Sequence, residues 1–242
     1  MRKYWIAVWI IVGISSSVLL GADFWQTKKF SKWSGKEVNK MLRDSPWARI
    51  VGVRFEERRG RPSSGGEEGS AKSSGGGSSR RGSGRGGSSS GGSGSTEPVP
   101  ATDVIFRWHT ALPIKQAVAR ARYGDEVASS EEAGKVLNRH EAQYIVGVIG
   151  IPARAVTAGP VQLKEGAQLA IENHPPIQAD KVIPDQEAGV VDLYLYFPKE
   201  LTGGHVITPD DGEVEVVVKL DSRTLKRKFK LKDMLYDGKL EM

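Results

Sequence analysis

The sequence predicts an α+β protein: an antiparallel-rich β-sheet or sandwich with an N-terminal helical arm and two short helices, interrupted by a long disordered Gly/Ser/Arg loop. Three observations predict it. Period-two alternation of apolar residues recurs from Val51 to the closing residues, the signature of half-buried strands. Helix start signals of the form S-x-x-E occur at Ser34 to Glu37 and at Ser129 to Glu132, where a serine and a glutamate can cap each other's backbone N–H groups. From Arg58 to Ser95, 14 of 38 residues are Gly and 13 are Ser, with no aromatic residue, so this stretch buries too little to offset its ordering entropy.

The chain opens with Arg2 and Lys3, the apolar run Tyr4 to Leu20, and Gly21-Ala22. A basic start, an apolar stretch and a small residue describe a secretory signal peptide cleaved after Ala22. An uncleaved anchor is the alternative, because Leu20 is not the small residue expected before such a cut and the run, about 17 residues, lies at the short end of a spanning helix. The protein is therefore expected to be exported, periplasmic or secreted, or else held at the membrane by residues 4–20. There is no Cys, which excludes disulfides, thiolate metal sites and a Cys nucleophile.

The net charge of +6 divides unevenly: the first 22 residues carry +2, the 38-residue Gly/Ser stretch carries +5, and the remaining 182 carry about −1. The basicity belongs mainly to segments not expected to fold, so it is poor evidence for a nucleic-acid-binding domain.

After Ala22, Ser34 and Glu37 predict a helix with Trp33 and Val38 as its hydrophobic staple. Val38, Met41 and Leu42 share a face, and the helix stops before Ser45-Pro46 because a residue preceding proline resists helical dihedrals. Val51, Val53 and Phe55 then alternate as a strand, as do Val104, Phe106 and Trp108 beyond the Gly/Ser stretch, before Pro113 opens a second helix. Closing a long loop costs only about 0.6 kcal/mol more per doubling of length. The two strands are therefore read as neighbours in one domain. The expected organisation is 1–22 signal peptide or anchor, 23–57 helical arm and first strand, 58–98 disordered loop, and 99–242 the remainder of the same domain.

Ser129 and Glu132 predict a short helix over 130–140, followed by a buried strand ending at Pro152. From Val161 onward the pattern is read as β throughout, with successive runs separated by Pro, Gly and Asp. If Asp221-Ser222 makes the turn, the strand of Glu213 and Glu215 pairs with that of Lys226 to Lys232, Glu215 falling opposite Lys228 or Lys230 and Glu213 opposite Lys230 or Lys232, and Asp237-Gly238 is placed as a tight hairpin turn.

Two groups are candidate binding residues. Trp25, Phe30, Trp33 and Trp47, with Phe24, are dense in aromatics and lie beside Lys28, Lys29 and Lys32. They suit either partner recognition or anchoring of the arm against the β domain. Lys226, Lys228, Lys230 and Lys232 form a ladder that could meet an anionic polymer or membrane surface, or could be a solvated strand face neutralised by Glu213 and Glu215.

His109, His140, His174 and His205 have no metal-ligand spacing, and Asp210, Asp211 and Glu213 depart from the calcium-loop pattern. No metal site, no cofactor and no nucleic-acid partner are expected. Arg80-Arg81 and Arg85-Gly86-Gly87 make only a thin arginine-glycine tract. No nucleophile elbow, phosphate loop or dinucleotide fingerprint occurs.

Three segments, Asp23 to Ala48, Arg107 to Arg120 and Phe229 to Met242, contain motifs (DFW, KKF, SPWA; RWHTALPIKQAVAR; FKLKDMLYDGKLEM) that resemble an uncharacterised family of exported bacterial proteins with a Gly-rich insertion. The resemblance implies a peripheral insertion and carries no activity or catalytic residue. The leading functional expectation is an exported, non-enzymatic binding or envelope-associated protein whose partner is an unknown protein or envelope component. An envelope hydrolase using Asp, Glu or His residues brought together in space is the alternative. Polyanion or membrane-surface binding through the lysine ladder is a third reading.

Overall fold

The computed structural model describes residues 23–55, 101–199, 207–221 and 223–242. The expected signal or anchor, the whole of the expected Gly/Ser loop, His205 and Ser222 lie outside the described residues.

The arm begins with α1 (Phe24–Thr27) and a 3-10 turn at Phe30–Lys32, then α2 (Gly35–Arg43). The capping box forms as expected. Glu37 N–H donates to Ser34 Oγ, and Ser34 N–H donates to Glu37 Oε2 at 2.6 Å. The helix ends at Arg43, and Ser45 Oγ donates to Met41 O to close its last turn.

β1 (Ala48–Val53) pairs antiparallel with β2 (Thr102–Trp108), from Ala48 opposite Arg107 to Val53 opposite Thr102. The two strands flanking the Gly/Ser stretch are therefore direct neighbours. α3 (Leu112–Tyr123) follows with Pro113 in its first turn, where a missing N–H costs nothing. α4 spans Glu131–Leu137 and is capped by Ser130, whose Oγ accepts from Ala133 N–H. This corrects the expected cap at Ser129 and leaves His140 outside the helix.

β3 (Gln143–Pro152) precedes a helix that periodicity did not predict, α5 (Pro160–Glu165). β4 (Ala167–Ile171), β5 (Ile177–Gln178), β6 (Lys181–Glu187), β7 (Val190–Pro198), β8 (Glu213–Leu220) and β9 (Arg223–Lys230) follow, closed by the hairpin of β10 (Leu235–Tyr236) and β11 (Lys239–Leu240). Asp237 and Gly238 both take positive φ in that turn, the geometry of a two-residue hairpin connection.

The strands form two antiparallel sheets, β1-β2-β3-β7-β6 and β5-β4-β8-β9. This is an α+β fold with antiparallel sheets. Phe106, Trp108, Val146, Leu193, Leu195 and Phe197 from the first sheet share one buried cluster with Leu169, Val214, Val216 and Phe229 from the second. Trp108 meets Phe229 edge to face with ring centroids 5.8 Å apart. Trp25, Trp33, Val38, Met41 and Trp47 of the arm belong to the same cluster.

Candidate functional site

The aromatic arm is core. Trp33 and Trp47 are fully buried and Trp25 is 5% exposed. Edge-to-face contacts run from Trp33 to Phe24, from Phe24 to Trp25, from Trp25 to Trp47 and from Trp47 to Tyr236. Trp33 Nε1 donates to Lys28 O and Trp47 Nε1 to Glu241 O, as buried indoles require. Phe30 is half-buried against Ala119, Val127 and Ala133. Of the two readings of this group, the burial of Trp25, Trp33 and Trp47 in the core cluster fits anchoring rather than a recognition surface.

The lysine ladder has the acidic partners expected of a solvated strand face. Glu213 lies opposite Lys230 and Glu215 opposite Lys228 in the register, and Lys228 Nζ reaches Glu213 at 3.3 Å. Lys232 leaves the ladder: β9 ends at Lys230, and Lys232 sits on the 3-10 turn Leu231–Met234, which drives Leu231 and Met234 into the core.

Two arrangements that periodicity did not reveal gather chemistry. The first is on the outer face of the five-stranded sheet. Arg107 and His109 project from the same side of β2, Arg107 lies opposite Gly147 on β3, and Gly147 lies opposite Tyr194 on β7. Gly147 provides the space: a Cβ there would stand 2.5 Å from His109 Nε2. The imidazole lies over this glycine, edge to face with Tyr194 at 5.2 Å, and its Nε2 accepts from Arg107 Nε at 3.2 Å. The remaining proton is therefore on Nδ1.

Burial, reinforced by the Arg107 cation, pushes the His109 pKa down to about 3, so the ring is neutral across the physiological range. Burial lowers the Arg107 pKa while the neighbouring Tyr194 and Asp192 oppose the shift. Burial chiefly, with the Asp192 charge, raises that of Tyr194. Asp192 is engaged elsewhere, accepting the Gly150 N–H at 2.9 Å where β3 bulges.

The second arrangement is an open cleft of about 540 Å³ beside the start of α3, lined among others by Lys115, His140, Glu141, Tyr144, Lys199 and Glu241. Lys115 is buried, and its ammonium donates to Glu141 and to Arg139 O at 2.6 Å. Lys199 stands over the Tyr144 ring at 5.5 Å, and burial raises the Tyr144 pKa, keeping its hydroxyl a donor. Glu241 accepts the Leu112 N–H at 3.1 Å and so satisfies an orphan donor of the α3 start. The charges of the cleft are mostly spent on holding the fold.

His174 lies 3.4 Å from Asp211, which itself caps the 3-10 turn Pro209–Asp211 through Thr208. Asp210 and Asp211 thus lie in a capped 3-10 turn. Among the described residues no group of three or more His, Asp or Glu is placed to hold a metal ion. In comparisons with family models, with curated proteins and with solved structures, nothing matches this chain.

Proposed function

We propose that the protein is an exported, non-enzymatic binding protein associated with the cell envelope. The observation that supports the non-enzymatic part of this reading is the state of His109: among the described residues it is the one histidine with a strongly lowered pKa, its partner is a cation, and its Nε2 is occupied by Arg107. A general base needs a free nitrogen within reach of a substrate proton and a pKa near the working pH, and His109 supplies neither. Export is supported by the apolar run Tyr4 to Leu20 behind Arg2 and Lys3.

The test has two parts. With an epitope after Met242, protease added to spheroplasts digests the tag if the body is exported; full protection overturns export. Turnover of an ester or glycoside probe by the purified full chain, lost in His109→Gln with folding retained, overturns the non-enzymatic part.

A further inference from the structure

The outward side of the arm carries a basic surface that the fold compensates only in part: Arg43 pairs with Asp103 at 3.4 Å, and Lys40 shares a cleft with Asp23, Asp44 and Asp233. Between Lys28 and Arg43 the sequence has six basic residues against the single acid Glu37, and Glu37 is held by Lys28 at 2.7 Å and by the helix cap. Burial of Val38 and Met41 turns Lys36, Lys40 and Arg43, spaced i, i+4 and i+7, to the other side of α2, where Lys36 and Lys40 are exposed. Like charges one turn apart destabilise a helix. Lys29 and Lys32 bracket the 3-10 turn whose neighbours Phe30 and Trp33 face inward, and both lysines are exposed. Lys40 stands over the Trp25 ring at 5.7 Å, close to where the described structure starts at Asp23.

This contrasts with β9, where Lys228 and Lys230 face Glu215 and Glu213 across the ladder. It also contrasts with the rest of the protein: the 182 residues outside the first 22 and the Gly/Ser stretch sum to about −1 even though they include the arm. The positive surface is therefore local, and it follows within a few residues of the apolar run Tyr4 to Leu20.

We propose that Lys29, Lys32, Lys36 and Lys40 dock the arm onto an anionic lipid surface, with the apolar run delivering the arm to that surface. A membrane fits better than a soluble polyanion because the basic residues sit immediately after a membrane-directed segment, where each cation gains from the negative surface potential. This deepens the envelope-associated reading by naming the envelope component, and it stands on charge rather than on which side of the membrane the body occupies.

The test uses the full chain reconstituted in vesicles of phosphatidylcholine alone or mixed with phosphatidylglycerol. An amine-reactive label is read at each lysine by mass spectrometry, with Lys226 and Lys228 as internal references. Labelling of Lys29, Lys32, Lys36 and Lys40 is expected to slow about tenfold or more in the anionic vesicles only, and molar salt is expected to restore it. Each Lys→Gln substitution is expected to weaken the docking about fivefold. These side chains are exposed, so an unchanged melting temperature of the quadruple variant separates lost docking from lost folding.

Equal labelling in both vesicle types overturns the proposal, as does equal protection of Lys226 and Lys228. Protection of the arm by soluble DNA matching that by anionic vesicles overturns the assignment to a membrane. Protease protection of the body in spheroplasts would overturn export while leaving the labelling result standing.

Discussion

His109 links sequence, packing and acid stability most directly. Its pKa is about 3 in the fold against 6.5 for the free side chain, so below 6.5 the unfolded chain takes up a proton that the native protein refuses. Stability from this group is fully present above pH 6.5 and falls as the pH drops toward 3, with a limiting slope on the order of 1.4 kcal/mol per unit. Glu37 adds a second loss at lower pH: its carboxyl, bonded first to Lys28 and then to Ser34, is held at about 2 against 4.5. Its contribution is present above 4.5 and fades as the pH falls toward 2. In urea titrations the wild type is expected to lose stability between pH 6.5 and 5, and His109→Gln to flatten that window while leaving the decline below 4.5. Gly147→Ala places a methyl where the imidazole lies. The expected cost is about 1 to 3 kcal/mol, read as a lower urea midpoint, with the ring displaced from Arg107 and its NMR titration moving up toward 6.5. Nothing in the order of residues could announce this cluster, because Gly147 meets His109 only once the register of β2 on β3 is set.

At the scale of elements, the helix and hairpin signals were legible where they rest on local chemistry. Ser34, Glu37, Pro113 and Asp237-Gly238 act within a few residues, and each performs the expected task. Replacing Ser34 by Ala is expected to lower stability by about 1 kcal/mol, measured by thermal unfolding at neutral pH. The pairing of β8 with β9 was also legible, but alternating Glu and Lys left two registers that set the same faces together, and the fold takes the one with Glu215 opposite Lys228 and Glu213 opposite Lys230. Where reading failed, a local signal was overridden or drowned. α5 starts at Pro160 and is followed by Gly166, the proline-first, glycine-last asymmetry of helices, yet its six residues sit among apolar runs that read as strand. Lys232 keeps the alternation of the ladder, but burying Leu231 and Met234 bends the chain into a 3-10 turn before it arrives. The aromatic arm was legible as an element and ambiguous in role. Only tertiary packing, which buries both rings and brings Glu241 O to the Trp47 indole, decides that Trp33 and Trp47 face inward.

For the whole molecule, residues on both sides of the Gly/Ser stretch contribute to one buried cluster, with β1 and β2 adjacent. Deleting Arg58 to Ser95 is expected to leave a soluble protein with a single cooperative transition. Its loss in a calorimetric scan would refute the one-domain organisation. Trp47 binds Glu241 across 194 residues, and Leu112 binds it across 129. Trp47→Phe leaves the Glu241 carbonyl without its donor and is expected to cost about 1 to 3 kcal/mol, read from denaturant midpoints at constant m. Those long separations also set a clock. A topology whose anchoring contacts lie so far apart in the chain folds slowly, on the millisecond-to-second scale or beyond, because distant ends must find each other before either is rewarded. The inserted stretch lengthens every contact between the arm and the body, so the loop-deleted protein should refold faster while unfolding at nearly the wild-type rate. The insertion would then act as a delay that keeps the new chain pliable for longer.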